Sequence, residues 1–467
     1  MHTIVIGGGI SGLAAAHRLL SRGGPSARVT VLEAASRLGG KLYAGELAGT
    51  AVDLGAESML ARRPEAVELA REAGLGDALQ PPAVAGGAIW TRGTIHPMPR
   101  GHLMGVPGDP AAVADVVSPD GLARIAEDAH RAPTPLGDDV TIGGYVAERL
   151  GREVVDRLVE PLLSGVYAGD VYRISLRAAL PELFEAARRE PSLLAAVRGL
   201  QERAAALAPS GPVFQGIVGG VGRLPGAVAD AVRAAGGRIA TGVSASELRR
   251  TPEGWEVTAS DGTHRADAVV LALPAPAAAR LLSGPAPGAA GELAAVEYAS
   301  MALCTLAFRR ADLGGRVPQG SGFLVPPVDG HTIKAATFAS NKWSWIAEQD
   351  PELFVLRTSV GRYGEDAVLE RDDADLITAS LHDLREAIGL TARPVASTVT
   401  RWAGGLPQYP VGHVERVARV QDAVGGLPGL AVCGAAYDGV GIPACVGSGQ
   451  RAADRTLEQA AAGQGRQ

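Results

Sequence analysis

Residues 4–12 read IVIGGGISG, and residues 13–20 continue as LAAAHRLL. An apolar run, a glycine turn and a helical run therefore follow one another without a gap, which is the order of a dinucleotide-binding βαβ unit. The glycines have the G-x-G-x-x-G spacing, which allows a tight turn, approach of the backbone to a pyrophosphate, and close packing of helix on strand. Because a helix N-terminus favours phosphate charge, the stretch predicts an adenine dinucleotide site made by Gly7, Gly8, Gly9, Ile10, Ser11 and Gly12.

An acidic residue follows at the distance that such a site requires. Residues 29–32 read VTVL, a second apolar strand, and Glu33 stands at its C-terminal end. This is about 20 residues after the last glycine, where the fingerprint places an acid on the ribose. An ordinary glycine-rich turn is the alternative, but the order of the elements and the position of the acid favour a nucleotide site.

A second glycine motif follows the acid directly, since residues 33–41 read EAASRLGGK. This run resembles the E-A-x-x-R-x-G-G signature of FAD-dependent amine oxidases, phytoene desaturases and porphyrinogen oxidases. In that superfamily the arginine and the second glycine lie along the FAD diphosphate. The resemblance implies FAD rather than a nicotinamide cofactor, with Ala34, Arg37, Gly40 and Lys41 beside it. A plain turn is the alternative interpretation of the motif.

Bulk properties narrow the function. A chain of 467 residues is too long for one compact core, so we expect two or three domains. The net charge of −6, without a basic block, argues against a nucleic-acid partner. The three cysteines, Cys304, Cys433 and Cys445, are too widely spaced for a disulfide framework or a metal cluster, so we predict no metal site. With neither a signal peptide nor a transmembrane segment expected, the sequence predicts a cytoplasmic protein.

The resemblance assigns three further segments to the cofactor. Residues 50–60 read TAVDLGAESML, and in the related families this turn lies close to the isoalloxazine ring. The turn at residues 241–243 resembles the one whose valine backbone contacts adenine, and the tryptophan of residues 401–413 packs near the flavin there. The implied cofactor-binding residues are Gly55, Ala56, Glu57, Ser58, Val243 and Trp402.

The C-terminal block repeats the pattern of the N-terminus. Residues 430–443 read LAVCGAAYDGVGIP, again an apolar strand and a glycine turn before a helix, so a second helix N-terminus can face the flavin. The resemblance places Gly434 in this turn, with Val440, Gly441 and Ile442 at the pyrimidine end of the ring. The S-G-G-C-Y run of amine oxidases with covalent flavin is missing, so we expect non-covalent FAD.

Other segments resemble bacterial porphyrinogen oxidases more narrowly: 160–170 (EPLLSGVYAGD), 340–343 (SNKW) and 401–413 (RWAGGLPQYPVGH). In those enzymes the first segment lies beside the tetrapyrrole. From spacing alone, 160–170 is an interhelical loop, broken by its glycines, and Lys342 is a solvated surface lysine. His413 has no partner by spacing and receives no proton role. The substrate-binding residues suggested are Arg63, Tyr167, Gly169, Lys342 and Tyr409.

The family implies an activity and its partners. Its bacterial members oxidise protoporphyrinogen IX or coproporphyrinogen III in heme synthesis, removing six electrons and reducing three O2 to hydrogen peroxide. The flavin carries the chemistry, so no catalytic side chain is assigned. A peripheral contact with the inner face of the cell membrane and a transient contact with the next heme-pathway enzyme stay open. The alternatives are an amine oxidase or carotenoid desaturase, a non-catalytic flavoprotein, and an NAD dehydrogenase.

The predicted fold is α/β: a Rossmann-like FAD-binding domain of the amine oxidase/glutathione-reductase type, an α+β substrate domain and a helical insertion. The predicted FAD-binding domain is discontinuous, over 1–85, 211–290 and 414–467. The substrate domain takes 86–109 and 291–413, and the insertion 110–210. Within the insertion we predict helices over 113–117, 121–132, 142–151 and 177–207, the last broken at Pro191.

Overall fold

The structure is a computed structural model that describes residues 1–84, 86–206, 211–315 and 317–464. The predicted helix end at Leu207 and the predicted domain limits at 85, 210 and 467 lie outside these residues. Within the described ranges, no helix combines the length and the apolar character needed to cross a bilayer.

The strands are, in chain order, β1 His2–Ile6, β2 Arg28–Glu33, β3 Ala44–Leu47, β4 Thr50–Asp53, β5 Met59–Leu60, β6 Leu79–Gln80, β7 Ala88–Thr91, β8 Thr94–Pro97, β9 His102–Leu103, β10 Val106–Pro107, β11 Phe214–Ile217, β12 Arg238–Thr241, β13 Ala245–Thr251, β14 Gly254–Ala259, β15 Gly262–Ala266, β16 Ala268–Leu271, β17 Tyr298–Arg309, β18 Gly322–Leu324, β19 Ile333–Thr337, β20 Leu353–Val360, β21 Ala396–Pro407 and β22 Leu430–Val432.

The α-helices are α1 Ile10–Arg22, α2 Pro64–Glu72, α3 Pro119–Ala126, α4 Ile142–Leu150, α5 Arg152–Val154, α6 Glu160–Tyr167, α7 Leu176–Ala179, α8 Pro181–Ala187, α9 Leu193–Ala206, α10 Leu224–Ala234, α11 Ala275–Leu282, α12 Pro287–Ala294, α13 Ala339–Lys342, α14 Ser344–Gln349, α15 Asp366–Leu369, α16 Asp373–Ile388, α17 His413–Gly425, α18 Ala435–Asp438 and α19 Ile442–Gln464.

The first layered unit is built on a five-stranded parallel sheet with the strand order β12-β2-β1-β16-β22. Its central strand β1 buries both faces, because Ile4 and Val5, which point to opposite sides, are both fully buried. Helices α1, α2, α10 and α19 cover one face, and the β13-β14-β15 meander with α11 and α12 covers the other. This confirms the predicted α/β fold with a Rossmann-like unit at the N-terminus.

The second layered unit is built on a seven-stranded sheet with the strand order β21-β17-β20-β19-β18-β7-β8. All its pairings are antiparallel except the parallel pair β18 and β7. Helix α16 packs on one face of this sheet. Asp372 caps the start of α16 by accepting a hydrogen bond from Asp375 N at 2.8 Å, and Gly389, in the left-handed region, ends it. The division of the chain into domains stays a prediction.

The helical region, residues 110–206, departs from the predicted helix bounds. The predicted helix over 113–117 was wrong: a 3₁₀ turn at Pro110–Val113 is followed by non-helical turns, since five residues are too few to form a stable helix alone. The predicted helix over 121–132 is α3 followed by a 3₁₀ turn at Glu127–His130. The predicted helix over 177–207 also breaks at Leu180, because a residue before proline avoids the helical region.

The predicted loop at 160–170 was wrong in its first part. Residues 152–167 form one continuous helix, in which a π-helical turn at Val155–Val159 connects α5 to α6. A proline at 161 has no N–H to donate and crowds the carbonyl four residues earlier, and the wider turn before it accommodates the ring. Gly165 lies inside α6, at a cost of about 1 kcal/mol that the packing of the helix offsets. Ala168, at φ 49°, ends the helix in place of a glycine.

A buried ion pair fastens the helical region. Arg149 and Asp128 are 1% and 0% exposed, and Arg149 Nε donates to Asp128 Oδ1 at 2.6 Å. The guanidinium also donates to the carbonyls of Ala132 and Pro191, at 2.6 and 2.8 Å. Asp128 Oδ2 accepts from Ser192 Oγ at 2.7 Å and from the backbone of α9. The pair therefore joins α4, the segment after α3 and the start of α9.

Candidate cofactor and substrate site

The glycines of the first turn have different structural roles. A Cβ added at Gly12 would lie 1.9 Å from the carbonyl oxygen of Gly7, so Gly12 lets α1 pack on the turn. Among the residues that the structure describes, no heavy atom would lie within 4 Å of a Cβ added at Gly9. Since Gly9 also has an ordinary φ of −71°, packing and backbone strain do not require a glycine there. The space in front of Gly9, at the N-terminus of α1, fits the phosphates of a dinucleotide.

The acid at the end of β2 lies at the edge of a cavity. Glu33 accepts hydrogen bonds from Gly8 N at 2.6 Å and from Ala35 N at 2.8 Å. The cavity beside it, of about 400 Å³, is lined by Gly7, Glu33, Ala34 and Val243 among others. It lies at the carboxyl ends of parallel strands, where open α/β sheets bind their ligands. Its position and size fit the adenosine half of a dinucleotide.

The second glycine motif lies against the first. Gly39 N donates to the carbonyl of Gly8 at 2.9 Å, and the nearest atom to a Cβ added at Gly40 would be Gly9 Cα, at 3.7 Å. Arg37 lies 4.3 Å above the ring of Tyr43 and donates to the Gly40 carbonyl at 2.8 Å. Burial lowers the pKa of Lys41. The two motifs thus border one space, as a shared diphosphate would require.

The turn after β4 is held by residues from distant strands. Trp402 Nε1 donates to the Leu54 carbonyl at 3.2 Å, and Arg357 donates to the Gly55 carbonyl at 2.8 Å. A Cβ added at Gly55 would lie 2.1 Å from the carbonyl of Lys41, so the two predicted cofactor segments are in direct contact. Ala56 N donates to the same carbonyl at 3.2 Å. The turn is therefore fixed on both sides.

Glu57 and Lys342, one predicted to contact flavin and the other substrate, form an ion pair with each other at 2.7 Å. Arg357 Nη2 lies 3.1 Å from the other oxygen of Glu57. Burial alone would raise the pKa of Glu57, but the two cations outweigh it and lower the pKa to about 2. Glu57 lies in the predicted cofactor-binding turn after β4. Arg357 lies in β20 of the seven-stranded sheet, and Lys342 ends α13, which precedes that strand. The three residues therefore connect the cofactor-binding segments to the seven-stranded sheet.

Sequence reasoning missed Asp53 and Arg357. Asp53 accepts hydrogen bonds from Val221 N and Gly222 N, both at 2.9 Å, and so caps the turn before α10. Burial raises its pKa to about 6, against the lowering effect of these donors. Neither residue has a partner close in sequence. The partners of Asp53 come 168 and 169 residues later. Those of Arg357 come 302 and 304 residues earlier.

The C-terminal block brings a second helix N-terminus to the first. A Cβ added at Gly449 of α19 would lie 2.1 Å from the carbonyl of Ser11, so α19 and α1 pack closely. Gly434 has a φ of 128° and its N–H donates to Ser448 Oγ at 3.0 Å. The predicted turn contains the short helix α18, and α19 begins at Ile442, directly after Val440 and Gly441.

Two of the segments that resemble porphyrinogen oxidases, 160–170 and 401–413, meet in one wall. The rings of Tyr167 and Tyr409 pack edge to face at 5.5 Å, and His413 stacks on Tyr409 at 4.1 Å. Gln408 Nε2 donates to the Tyr167 carbonyl at 2.9 Å, and a Cβ added at Gly169 would lie 2.2 Å from Gln408 Oε1. A side chain at position 169 would therefore displace the Gln408 amide. Burial raises the pKa of Tyr167 to about 12, which keeps the phenol neutral.

Two candidate substrate cations have partners within the chain. Arg63 Nη2 lies 2.6 Å from Glu65 Oε1, and Lys342 is held by Glu57 as described. Beside Lys342 is an apolar cavity of about 490 Å³, lined among others by Phe214, Phe323 and Ala335. Its size and apolar walls fit a flat organic molecule.

His413 provides a test of burial in this wall. Burial, with a contribution from Arg416, lowers its pKa from 6.5 to about 4. The unfolded chain therefore binds the proton more tightly, and stability is lost as the pH falls from 6.5 to about 4. Between pH 6.5 and about 4, wild type should lose about 3 kcal/mol of unfolding free energy through His413. We expect His413→Phe, which keeps the stacked ring, not to show this loss. Denaturant unfolding of both proteins at several pH values measures it, and parallel pH profiles would contradict the assignment.

Comparison with known proteins is consistent with this geometry. Residues 10–457 match the family model described as flavin containing amine oxidoreductase. The coproporphyrinogen III oxidase of Mycobacterium tuberculosis is 38% identical over 459 residues, with 97% of each chain covered. The coproporphyrinogen III oxidase of Bacillus subtilis is 30% identical over 472 residues, with 98% of each covered. A solved structure from Exiguobacterium sp. 255-15 superposes with a TM-score of 0.85 at 30% identity, covering 98% of this chain and 99% of that one.

Proposed function

The chain belongs to the flavin containing amine oxidoreductase family, and from this premise we propose that it oxidises coproporphyrinogen III to coproporphyrin III with dioxygen as the acceptor. The observation that carries the proposal is the similarity, over almost the whole length, to relatives named coproporphyrinogen III oxidase, at 38% and 30% identity. Removal of six electrons reduces three O2 to three H2O2. The protein is a flavin-dependent oxidoreductase of heme synthesis.

The proposed cofactor is non-covalent FAD, and the residues present fit it. The open space at Gly9, the acid Glu33 beside its cavity and the turn at 55–58 lie in one connected region with the start of α19. Cys433 and Cys445 are buried free thiols. When bound, the flavin supplies acceptance of hydride from the substrate and reoxidation by dioxygen.

The chain's own residues bind and orient the cofactor and the substrate, and they exclude water from the site. Arg357 and Trp402 fix the turn at 55–58 from the substrate sheet, so cofactor and substrate surfaces keep one relative position. The Tyr167, Tyr409 and His413 wall is buried, and its groups are neutral at pH 7 because burial raises the phenol pKa values and lowers that of the imidazole. Such a wall supports a flat apolar ring system without competing for its protons.

Anaerobic stopped-flow mixing of the purified protein with coproporphyrinogen III tests the proposal. We expect bleaching of the flavin absorbance, and porphyrin fluorescence after oxygen is admitted. Bleaching by protoporphyrinogen IX alone would support the second candidate, protoporphyrinogen IX oxidase. Bleaching only by an amine or a carotenoid precursor would place the chain elsewhere in the family, and a stable yellow protein without turnover would identify a non-catalytic flavoprotein.

The attachment of the cofactor is directly testable. We expect the purified protein to be yellow and to release FAD into the supernatant on acid precipitation, because no cysteine stands in a tethering motif. Absorbance spectra of supernatant and pellet measure the partition. Flavin that stays in the washed pellet would show a covalent bond.

The substrate preference is a second expected result. Coproporphyrinogen III carries four propionates and protoporphyrinogen IX two, and arginines pair with carboxylates through charge-assisted hydrogen bonds. Arg62 and Arg100 are exposed cations, and we propose that they lie at the mouth of the substrate site. At exposed sites each pair contributes about 0–1 kcal/mol, so we expect about tenfold higher kcat/KM for the copro substrate at low salt. Initial rates of porphyrin fluorescence measure it, and the preference should decrease as salt rises.

We further propose a cytoplasmic location, with a small-molecule tetrapyrrole and O2 as the partners and no nucleic acid. Peripheral contact with the inner face of the cell membrane and transient contact with the next heme-pathway enzyme belong to the same proposal. Sedimentation of the protein with anionic vesicles, in the presence and absence of coproporphyrin III, tests the membrane contact.

A further inference from the structure

Two buried cations lie together at one end of the seven-stranded sheet. Lys334 is 5% exposed and lies at the irregularity where β19 pairs with β20. Arg362 follows β20 and is 7% exposed, and it donates to the carbonyls of Val325 and Ile333 over 3.3 and 3.5 Å. Charged side chains of these types are rarely buried unless they are paired. The cluster therefore needs an account of its counter-charge.

The chain provides no close counter-ion for these groups. Among the residues that the structure describes, no carboxylate oxygen lies within 4.0 Å of Lys334 Nζ, and the only ion pair of Arg362 is with the half-exposed Glu365, at 3.7 Å. Arg362 Nε is buried and has no hydrogen-bond partner. By contrast, the Asp128–Arg149 pair shows direct contact where this fold uses charges structurally. Buried charges without such contact leave a site for a ligand or for water.

Helix α6, which packs against β18 and β19, contributes two more buried polar groups without partners. Glu160 and Ser164 lie one turn apart on α6 and are 8% and 2% exposed, and Glu160 Oε2 and Ser164 Oγ are buried without hydrogen bonds in the described part of the chain. The remaining charges near the cluster are Asp170 and Glu365, which are more exposed than its members. The fully buried groups are thus two cations, one carboxyl and one hydroxyl.

The cluster lies on the substrate side of the sheet. Arg357 and Ser359 are two residues apart on β20 and so share one face, which reaches the cofactor turn through the Arg357 contact with the Gly55 carbonyl at 2.8 Å. Ser359 pairs with Ala335, the neighbour of Lys334. Ala335 and Thr337 line the cavity of about 490 Å³ that begins at Lys342. Lys334 directly precedes Ala335 in β19 and is therefore next to this cavity wall in the chain.

We propose that Lys334, Arg362 and Ser164 form a buried binding site for a carboxylate of the substrate, namely a propionate of the tetrapyrrole. This proposal rests on the proposed function. It adds that the carboxylate site determines which edge of the tetrapyrrole ring enters first. Two cations and a hydroxyl donor match one carboxylate, and Glu160 adjusts the charge. Burial lowers the pKa of Lys334 and raises that of Glu160, each to about 7, so an entering carboxylate keeps Glu160 protonated and favours uptake of a proton from water by Lys334.

Lys334→Met tests the site, because it removes the charge and keeps most of the side-chain volume. Since the lost cation has no close partner in the chain, the variant is expected to fold and to retain its flavin. We expect KM for coproporphyrinogen III to rise about 10- to 100-fold with kcat within about twofold, the loss of one charge-assisted hydrogen bond. The affinity for coproporphyrin III, measured by fluorescence, should fall equally. Ser164→Ala should weaken binding by about three- to tenfold.

Controls separate the charge from the fold. Arg309→Met removes an exposed cation from the same sheet and should change nothing. Lys334→Arg should retain affinity, and Ser164→Ala, with its expected loss of binding, is the decisive variant if Lys334→Met does not fold. The tetramethyl ester of coproporphyrin III, which carries no carboxylate, should bind wild type and Lys334→Met equally.

Equal affinity of Lys334→Met and wild type for coproporphyrin III would overturn the site and leave water as the occupant. Lack of turnover of coproporphyrinogen III by wild type would overturn the proposed function instead. The porphyrin and ester binding data then decide on the carboxylate site independently.

Discussion

Replacing Gly9 by valine is expected to give a folded, colourless protein. The added side chain meets no protein atom within 4 Å of its Cβ, and the backbone at φ −71° accepts any residue. The branched methyl groups then occupy the space in front of α1 that the diphosphate needs. We expect FAD affinity to fall by at least about 100-fold, or about 3 kcal/mol, since overpacking a tight site costs this much. Flavin content and the thermal unfolding of the apoprotein measure the two effects.

Two glycines provide the controls. Gly425→Val, at the exposed end of α17, also places its Cβ in open space but lies outside the residues that line the cofactor cavity, and should retain both flavin and stability. Gly12→Ala places its Cβ 1.9 Å from the Gly7 carbonyl and should destabilise the fold itself. A Gly9→Val protein with normal flavin content would show that the dinucleotide phosphates lie elsewhere.

Replacing Asp128 by alanine is expected to cause the largest loss of stability among the single changes considered. The change leaves Arg149, 1% exposed, without its counter-ion, and removes the acceptor for Ser192 and the start of α9. Breaking a buried ion pair by removing one partner costs about 3–5 kcal/mol. Because the pair lies in the helical region, flavin binding at the parallel sheet should be retained in the folded fraction.

Urea unfolding of the variant, followed by circular dichroism, measures this loss. Hydrogen exchange of residues 119–206 shows whether the helical region opens first. Asp230→Ala, which removes the exposed pair between Arg233 and Asp230 at 2.9 Å, is the matched control and should cost about 0–1 kcal/mol. A loss below about 1 kcal/mol for Asp128→Ala would mean that the neighbouring carbonyls alone satisfy the arginine.

Local signals predicted the parts of the fold that local chemistry determines. The glycine turns at 7–12 and 39–40 and the acid at 33 all depend on residues close in sequence, and the structure contains them as predicted. The loop predicted at 160–170 was wrong over residues 160–167, because the burial of α6 outweighs the low helix propensity of Gly165. Propensity is a weak guide where packing supplies more free energy.

The long-range parts of the site could not be predicted from spacing. Glu57 and Lys342 are 285 residues apart, and both were predicted as ligand contacts from segments that resemble known motifs. Their pairing with each other depends on the relative position of two sheets, which no periodicity encodes. Asp53 and Arg357 were missed for the same reason. The roles of the predicted site residues toward cofactor and substrate stay predictions.

The strand order of the parallel sheet has a consequence for biosynthesis. The central strand β1 is made first, but its neighbour β16 begins at Ala268, and the outer strand β22 at Leu430. At a translation rate of about 5–20 residues per second, β1 leaves the ribosome roughly 13–53 seconds before β16 is available. During that time an apolar strand has an unpaired edge, which is a template for aggregation. Expression of this protein should therefore depend strongly on chaperones that bind nascent chains.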